Sequence, residues 1–269
     1  MGTSILDGRQ PGELSIRLMA QDAIALIKHL GYEDIDILGW SMGGAVAQQL
    51  LIILASAEDP ESSGENDRAA APFRVHHALL TATFAKVPHA EPVFEKWCTD
   101  FVSTYFPLLL ARDEPEEGKG EAKMSDEQKR DIMKCAVETF FDPEFLKTEK
   151  GRTVFDAHMH AIAYKRPIAQ IVRQVLAVHS LDLRPGLHLI KPSTKVLIIH
   201  GTKDEIVAPW HEGKDLADHI KHAQWLPIDP DGKIEGRVPS EEFGHAWWHY
   251  FEIEVWVRVV QTFTKDGKK

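Results

Sequence analysis

Apolar positions in the first part of the chain alternate between helical spacing and short continuous runs. Over residues 15–30 the apolar side chains recur every three or four positions, which predicts a helix capped by Ser15 and ended by Gly31. The run 35–39 is β-rich and ends in glycine, which predicts a strand, and the apolar stretch 42–54 predicts a buried helix. The order helix, strand, tight turn, helix is typical of an α/β fold.

The middle of the chain, residues 91–180, predicts helices, and strand patterns flank it on both sides. The flanking elements are a strand at 77–82, a strand at 195–201, a helix at 211–220, a strand at 224–228 and a helix at 246–264. The run 195–201 is continuously apolar, as in a strand buried on both faces of a parallel sheet. We therefore expect an α/β core formed by 1–90 and 181–269, with a helical cap inserted at 91–180.

A motif for nucleophilic catalysis joins the predicted strand 35–39 to the helix that follows it. Its residues are Gly39-Trp40-Ser41-Met42-Gly43. A G-x-S-x-G pattern at a strand-to-helix junction is typical of a sharp turn that exposes the serine oxygen, while the glycines allow the backbone to approach closely. The N-terminus of the following helix favours developing negative charge beside the serine. Ser41 is therefore the candidate nucleophile.

Candidates for a base and an orienting carboxylate follow in the chain order expected for this motif, Ser, then Asp or Glu, then His. Asp204 comes after the buried strand 195–201, at the strand end where sites of parallel sheets form, and Glu205 is the adjacent alternative. His245 lies on a loop before the last predicted helix. His249 is the weaker alternative, because it falls inside that helix.

Three segments together resemble the α/β-hydrolase superfamily, in the branch with a serine nucleophile. They are Gly-Trp-Ser-Met-Gly-Gly at 39–44, His-Gly-Thr-Lys-Asp at 200–204 and Gly-His at 244–245. The resemblance spans nearly the whole chain. It implies an α/β-hydrolase-type, mostly parallel sheet with an inserted helical cap that shapes the pocket.

The resemblance also implies roles for individual residues. Ser41 is expected to be the nucleophile, His245 its base, Asp204 the orienter of that base, and the backbone N–H of Met42 an oxyanion donor. Trp40 flanks the nucleophile and is a candidate to contact the substrate. The implied reaction is acyl transfer from a small, ester-like substrate to water, without a metal or an organic cofactor. Esterases, lactonases, C–C bond hydrolases and perhydrolases all fit this description.

Some parts of the family pattern do not fit into the chain. Relatives carry several strands before the nucleophile strand and a second oxyanion donor on an early loop, often marked by His-Gly. Here the predicted helix 15–30 follows a short leading segment, and the His-Gly pair is at 200–201. We therefore expect a sheet that is incomplete in its N-terminal half, with self-association through the exposed edge at 35–38. The alternative to an active hydrolase is an impaired remnant of the fold that acts as a binding protein.

Charge and composition narrow the partners further. Lys and Arg number 31 against 41 Asp and Glu, a net charge of −10 that disfavours nucleic acid and anionic membranes. The two cysteines, Cys98 and Cys135, give neither a disulfide framework nor a metal-binding spacing. His158 and His160 lie two apart on a predicted helix and point in different directions, which disfavours a metal site. With no secretory signal or long apolar run, a cytoplasmic protein is expected.

Overall fold

A computed structural model describes residues 14–57, 72–87, 99–100, 103, 126–162, 168–179 and 181–265. Within these ranges the strands are β1 (Asp34–Trp40), β2 (Arg74–Thr81), β3 (Lys195–Ile199) and β4 (Gln224–Trp225). They pair in parallel, in the order β1-β2-β3-β4. Because parallel strands end at the same edge of a sheet, the segments that follow β1 and β3 meet at that edge.

The helices surround this sheet and also fill the long connection between β2 and β3. They are α1 (Ile16–Leu30), α2 (Met42–Ala57), α3 (Asp126–Glu138), α4 (Pro143–Lys147), α5 (Glu149–Ile162), α6 (Ile168–His179), α7 (Arg184–Leu187), α8 (Trp210–His219) and α9 (Ile253–Lys265). We call α3 to α6 the helical insertion. The cap boundaries at 91 and 180 stay a prediction, since much of that range lies outside the described residues.

The first helix begins and ends where its sequence signals predict. The Ser15 side chain accepts a hydrogen bond from the N–H of Leu18 at 3.1 Å, which satisfies one of the free donors of the first turn. Gly31 ends the helix with a φ of 72°, a left-handed conformation that glycine adopts without steric cost. Its N–H donates to the carbonyl of Lys28.

The core lies on both faces of the two central strands. Leu80 of β2 and Ile198 of β3 belong to the apolar cluster that α1 and α2 cover. Their neighbours Leu79 and Leu197 point to the opposite face and belong to the cluster that holds Trp256 of α9. The continuous apolar run of β3 therefore reflects burial on both faces, as predicted.

β1 lies at one end of the four-stranded sheet. It pairs with β2, and no other strand within the described residues lies on its free side. Leu38 on this strand is 51% exposed. The sheet has the predicted α/β-hydrolase type, and among the described strands it ends at β1. Self-association through this edge stays a prediction, which the concentration dependence of the elution volume in size-exclusion chromatography checks.

The predicted continuous helix at 246–264 is wrong over its first third. The chain instead forms a short 3-10 turn at Trp247–His249, and the α-helix begins only at Ile253. Part of the reason is a tertiary contact, because the N–H of Ala246 donates to the carbonyl of Phe140 in the helical insertion at 3.0 Å. The apolar spacing before Ile253 reflects packing rather than helix continuation.

The strand predicted at 224–228 is also shorter than expected, since β4 ends at Trp225. Leu226 still donates its N–H to the carbonyl of Ile198. Pro227 then follows and has no N–H with which to extend the ladder. Across the described ranges, no helix is both long and apolar enough to cross a lipid bilayer.

Candidate active site

Ser41 occupies the tight turn between β1 and α2. Its φ is 55°, in the left-handed region that non-glycine residues seldom adopt and that costs roughly 1–3 kcal/mol. The turn is so tight that a Cβ on Gly39 would lie 2.6 Å from the carbonyl oxygen of Gly43. The glycine spacing read from the sequence is thus a steric requirement of the turn.

The end of the neighbouring strand β2 holds this turn in place. The N–H of Ser41 donates to the carbonyl of Thr81 at 3.0 Å, and the hydroxyl of Thr83 donates to the carbonyl of Ser41 at 2.7 Å. Gly44 packs so closely here that a Cβ on it would lie 2.5 Å from the Thr83 side chain. Sequence reasoning gave Thr83 no role. Its position just after β2, the strand that pairs with β1, is the signal that points to it.

The N-terminus of α2 begins directly after Ser41. Met42 is the first helical residue, and the N–H groups of a first turn have no acceptor within their own helix. The carbonyl of Ser41 accepts the N–H of Gly44 at 2.9 Å, which closes the turn into the helix. An oxyanion near Ser41 would therefore meet the positive end of the helix dipole.

Asp204 and His245 form a buried pair at the same edge of the sheet. His245 Nδ1 donates to Asp204 Oδ2 at 2.7 Å, and the two residues are 1% and 2% exposed. The other oxygen of Asp204 accepts the N–H of Ala208 at 3.1 Å. His245 Nε2 is buried and has no hydrogen-bond partner in the described part of the chain. A buried polar atom without a hydrogen-bond partner is energetically costly and rare, so Nε2 of His245 is a candidate for a functional role.

The two alternative residues have other surroundings. Glu205 is exposed to solvent, next to the buried Asp204. The ring of His249 lies 5.1 Å from that of His158 and 6.1 Å from that of Phe141, both in the helical insertion. The geometry therefore brings together Asp204 and His245 among the acid and base candidates.

Aromatic rings enclose the imidazole of His245. Trp40 Nε1 donates to the carbonyl of His245 at 2.9 Å, and the two rings lie 5.2 Å apart. The ring of Phe140, from the helical insertion, lies 5.5 Å away on tilted planes. Trp248 contacts Trp40 edge-on at 4.8 Å. Trp40 thus contacts the candidate base, and its predicted contact with substrate stays a prediction. Sequence reasoning missed Phe140, because its placement depends on how the insertion packs.

A second buried histidine supports the loop that carries Asp204. His200 Nε2 donates to the carbonyl of Ala208, whose N–H in turn donates to Asp204. Burial lowers the pKa of His200 below its usual range, which the nearby Asp204 partly opposes. The ring is therefore neutral at neutral pH. The His200-Gly201 pair therefore belongs to the loop that follows β3 and carries Asp204. Sequence reasoning gave His200 no role.

The His-x-His pattern is held by local contacts on α5. His158 Nδ1 donates to the carbonyl of Val154 at 3.0 Å, and His160 Nδ1 donates to that of Asp156 at 2.8 Å. Considering only residues with a described position, no group of three or more His, Cys, Asp or Glu side chains is arranged to hold a metal ion.

Known proteins are similar to this chain along most of its length, in sequence or in structure. "Putative carbamate hydrolase RutD" of Pseudomonas savastanoi pv. phaseolicola (strain 1448A / Race 6) is 21% identical over 229 residues, which cover 84% of this chain and 72% of that protein. The solved structure of BpoC from Mycobacterium tuberculosis H37Rv matches with a TM-score of 0.66 and 17% identity, over 100% of this chain and 80% of that one. The enol-lactonase from Burkholderia xenovorans LB400 matches with a TM-score of 0.60 and 17% identity, over 95% of this chain and 75% of that one.

The solved structures are too distant in sequence to show more than the fold. The family assignment comes from the sequence itself, since the profile described as "Alpha/beta hydrolase family" matches residues 6–249. That range includes the Ser41 turn, the Asp204 loop and His245. The chain belongs to the alpha/beta hydrolase family.

Proposed function

We propose that the protein is a serine hydrolase that cleaves a carboxylic ester or a related acyl bond. In this proposal Ser41 is the nucleophile, His245 its base and Asp204 the partner of that base. One observation carries the proposal. A buried His245–Asp204 pair leaves Nε2 without a partner, and Trp40, which directly precedes Ser41, packs against the same imidazole.

The hydrogen bond to Asp204 sets the state of the imidazole that the reaction requires. Because Nδ1 carries the proton that Asp204 accepts, Nε2 of the neutral ring carries a lone pair. This nitrogen is the one that can receive the hydroxyl proton of Ser41. The carboxylate then stabilises the imidazolium that forms, and its burial strengthens that attraction.

Acyl transfer proceeds in two balanced steps. The Oγ of Ser41 forms a bond to the acyl carbon while His245 Nε2 takes its proton, and the carbonyl π electrons move onto oxygen. The tetrahedral oxyanion is stabilised by the N–H of Met42 and by the α2 N-terminus. The bond to the leaving group then breaks, and Nε2 returns the proton to that group. Water repeats the sequence on the acyl-enzyme and releases the acid and free Ser41.

The surroundings of the base favour an apolar substrate. Trp40, Phe140 and Trp248 form an aromatic wall beside His245, and we assign the helical insertion the role of a cap because Phe140 comes from it. Carbamate and enol-lactone appear in the names of two similar proteins, and both groups have a carbonyl carbon bonded to oxygen. We therefore propose a small ester, carbamate or lactone as the substrate, acted on without a metal or an organic cofactor.

Hydrolysis of p-nitrophenyl acetate and p-nitrophenyl butyrate tests the proposal. The Ser41→Ala variant is expected to lose the activity of the wild type by a factor of about 10⁴ or more. Ser56→Ala, in the helix that follows the turn, serves as the matched control and is expected to keep it. Equal rates for the wild type and Ser41→Ala would contradict the proposal. Absence of hydrolysis in a folded wild type would favour the impaired remnant that acts as a binding protein.

A further inference from the structure

The loop that carries His245 is tied to the helical insertion on both sides of this histidine. On one side the N–H of Ala246 donates to the carbonyl of Phe140 at 3.0 Å. On the other side Gly244 lies so close to the insertion that a Cβ on Gly244 would come within 3.2 Å of the carbonyl oxygen of Phe140. The ring of Phe140 also packs against the imidazole of His245. The position of the candidate base therefore depends on a segment outside the α/β core.

Tyr250 makes the strongest link between the two parts. Its hydroxyl donates to Asp142 Oδ2 at 2.7 Å and accepts the N–H of Asp142 at 3.0 Å. The ring stacks on Phe145 of α4, with centroids 4.4 Å apart. Asp142 is itself fixed, because its Oδ1 accepts the N–H groups of Glu144 and Phe145 and so caps α4. A side chain held at both ends can transmit the position of the insertion to the loop.

The chemistry of the phenol suits a permanent link. Burial is the largest effect on Tyr250 and raises the pKa of its hydroxyl far above its ordinary value. The hydroxyl therefore stays protonated at neutral pH and remains a donor. Hydrogen bonds to a charged carboxylate are also stronger than those between neutral groups.

We propose that Tyr250 is a positioning residue, which through Asp142 fastens the helical insertion to the loop of His245 and holds the imidazole against Asp204. The role of His245 in catalysis rests on the proposed function, whereas the mechanical link does not. Tyr250 takes no part in bond making. It acts by restricting the motion of the loop between Gly244 and Tyr250, so that the base keeps its orientation when the substrate enters beside Phe140.

The test reads the position of the imidazole directly. A buried proton on His245 Nδ1 that is shared with Asp204 gives a far-downfield signal in a one-dimensional proton NMR spectrum, and Asp204→Asn identifies this signal by abolishing it. In Tyr250→Phe, which keeps the ring stacked on Phe145 and removes only the oxygen, we expect the signal to broaden or vanish. Since both hydrogen bonds between the phenol oxygen and Asp142 are lost, kcat for p-nitrophenyl butyrate is expected to fall about 10-fold with KM changed less than about two-fold.

Two further variants keep the test decisive. Asp142→Ser retains an oxygen that can cap α4 but is too short to accept from Tyr250, so it should broaden the signal in the same direction even if Tyr250→Phe does not fold. The change is expected to be smaller, because the N–H of residue 142 still donates to the phenol oxygen. Tyr32→Phe, at an exposed position, is the matched control and should leave the signal unchanged. A wild-type signal in folded Tyr250→Phe or Asp142→Ser would overturn the link. If the signal responds but the wild type hydrolyses no ester, the link stands and the proposed function fails.

Discussion

The hydroxyl of Thr83 donates to the main-chain carbonyl of Ser41 at 2.7 Å and so ties the strained turn at Ser41 to the end of β2. The turn holds Ser41 at a φ of 55°, a left-handed conformation that is strained for a residue other than glycine. The neighbouring strand therefore supplies part of the restraint that keeps the serine oxygen in place.

This link predicts different effects for two substitutions of Thr83. Thr83→Val keeps the shape and removes the hydroxyl, which leaves the part-buried carbonyl of Ser41 with one bond fewer, and kcat should fall about 10-fold. Thr83→Ser keeps the donor and should retain most of the wild-type rate. Steady-state kinetics with p-nitrophenyl butyrate measures both variants. A larger loss in Thr83→Ser than in Thr83→Val would show that the methyl group, rather than the hydrogen bond, is what matters.

The buried pair of His245 and Asp204 predicts the effect of removing one charge. In Asp204→Asn the side-chain shape is conserved, but the amide can hold the imidazole with Nε2 protonated and cannot stabilise the imidazolium. We expect kcat to fall by a factor of about 10³–10⁴. Glu205→Gln, one residue further along and exposed, is the matched control and should change kcat by less than about two-fold. A larger loss in Glu205→Gln than in Asp204→Asn would reassign the acid.

His200 predicts a combined effect on stability and rate. The variant His200→Leu removes the donor to Ala208 and leaves that buried carbonyl unsatisfied, which should lower the free energy of unfolding by about 1–3 kcal/mol. Because Ala208 also donates to Asp204, we expect kcat to fall while KM changes little. Urea unfolding and steady-state kinetics provide the two measurements. As the control, His211→Gln changes an exposed residue and should alter neither the free energy of unfolding nor kcat. A fully active His200→Leu would show that His200 does not support the loop that carries Asp204.

Acid is expected to destabilise the protein through His249. Burial, followed by nearby His158 and Lys150, lowers the pKa of His249 from its ordinary 6.5 to about 4. Between these values the unfolded chain binds more protons than the folded one, so the free energy of unfolding falls as pH drops from about 6.5 toward 4. The buried His200, whose pKa is also lowered, acts in the same direction.

Urea unfolding between pH 7.5 and 4.5 measures this dependence. Over this range His249 should lower the free energy of unfolding by about 1–2 kcal/mol. This is less than the full pKa shift corresponds to, because the ring is only partly buried. His249→Gln cannot titrate and should show a correspondingly flatter dependence. An unchanged slope in that variant would place the acid sensitivity elsewhere.

Local signals predicted much of this site. The turn at Ser41 could be recognised because the glycine pattern and the change from strand to helix lie within a few residues of one another. Asp204 could be recognised because it follows a strand buried on both faces. The sequence favours Asp204 over the adjacent Glu205, and the structure adds that Asp204 is buried against His245 whereas Glu205 is exposed.

Contacts between distant segments could not be predicted in this way. Tyr250 lies in a stretch whose apolar spacing resembles a helix, and the break before Ile253 coincides with hydrogen bonds to Phe140 and Asp142 more than 100 positions earlier. Thr83 and His200 likewise act on segments that only the sheet brings near them. Periodicity reports which face of an element is buried, but it does not report which partner covers that face.

Covalent labelling tests directly whether Ser41 is a nucleophile that His245 activates. The folded wild type is treated with a fluorophosphonate, digested with trypsin and analysed by tandem mass spectrometry, which locates the adduct within the peptide 29–68. We expect an adduct on Ser41 that is absent in Ser41→Ala and forms far more slowly in His245→Ala. A folded wild type that gains no adduct, or gains it on another serine at the same rate in all three proteins, would contradict the proposed roles of Ser41 and His245.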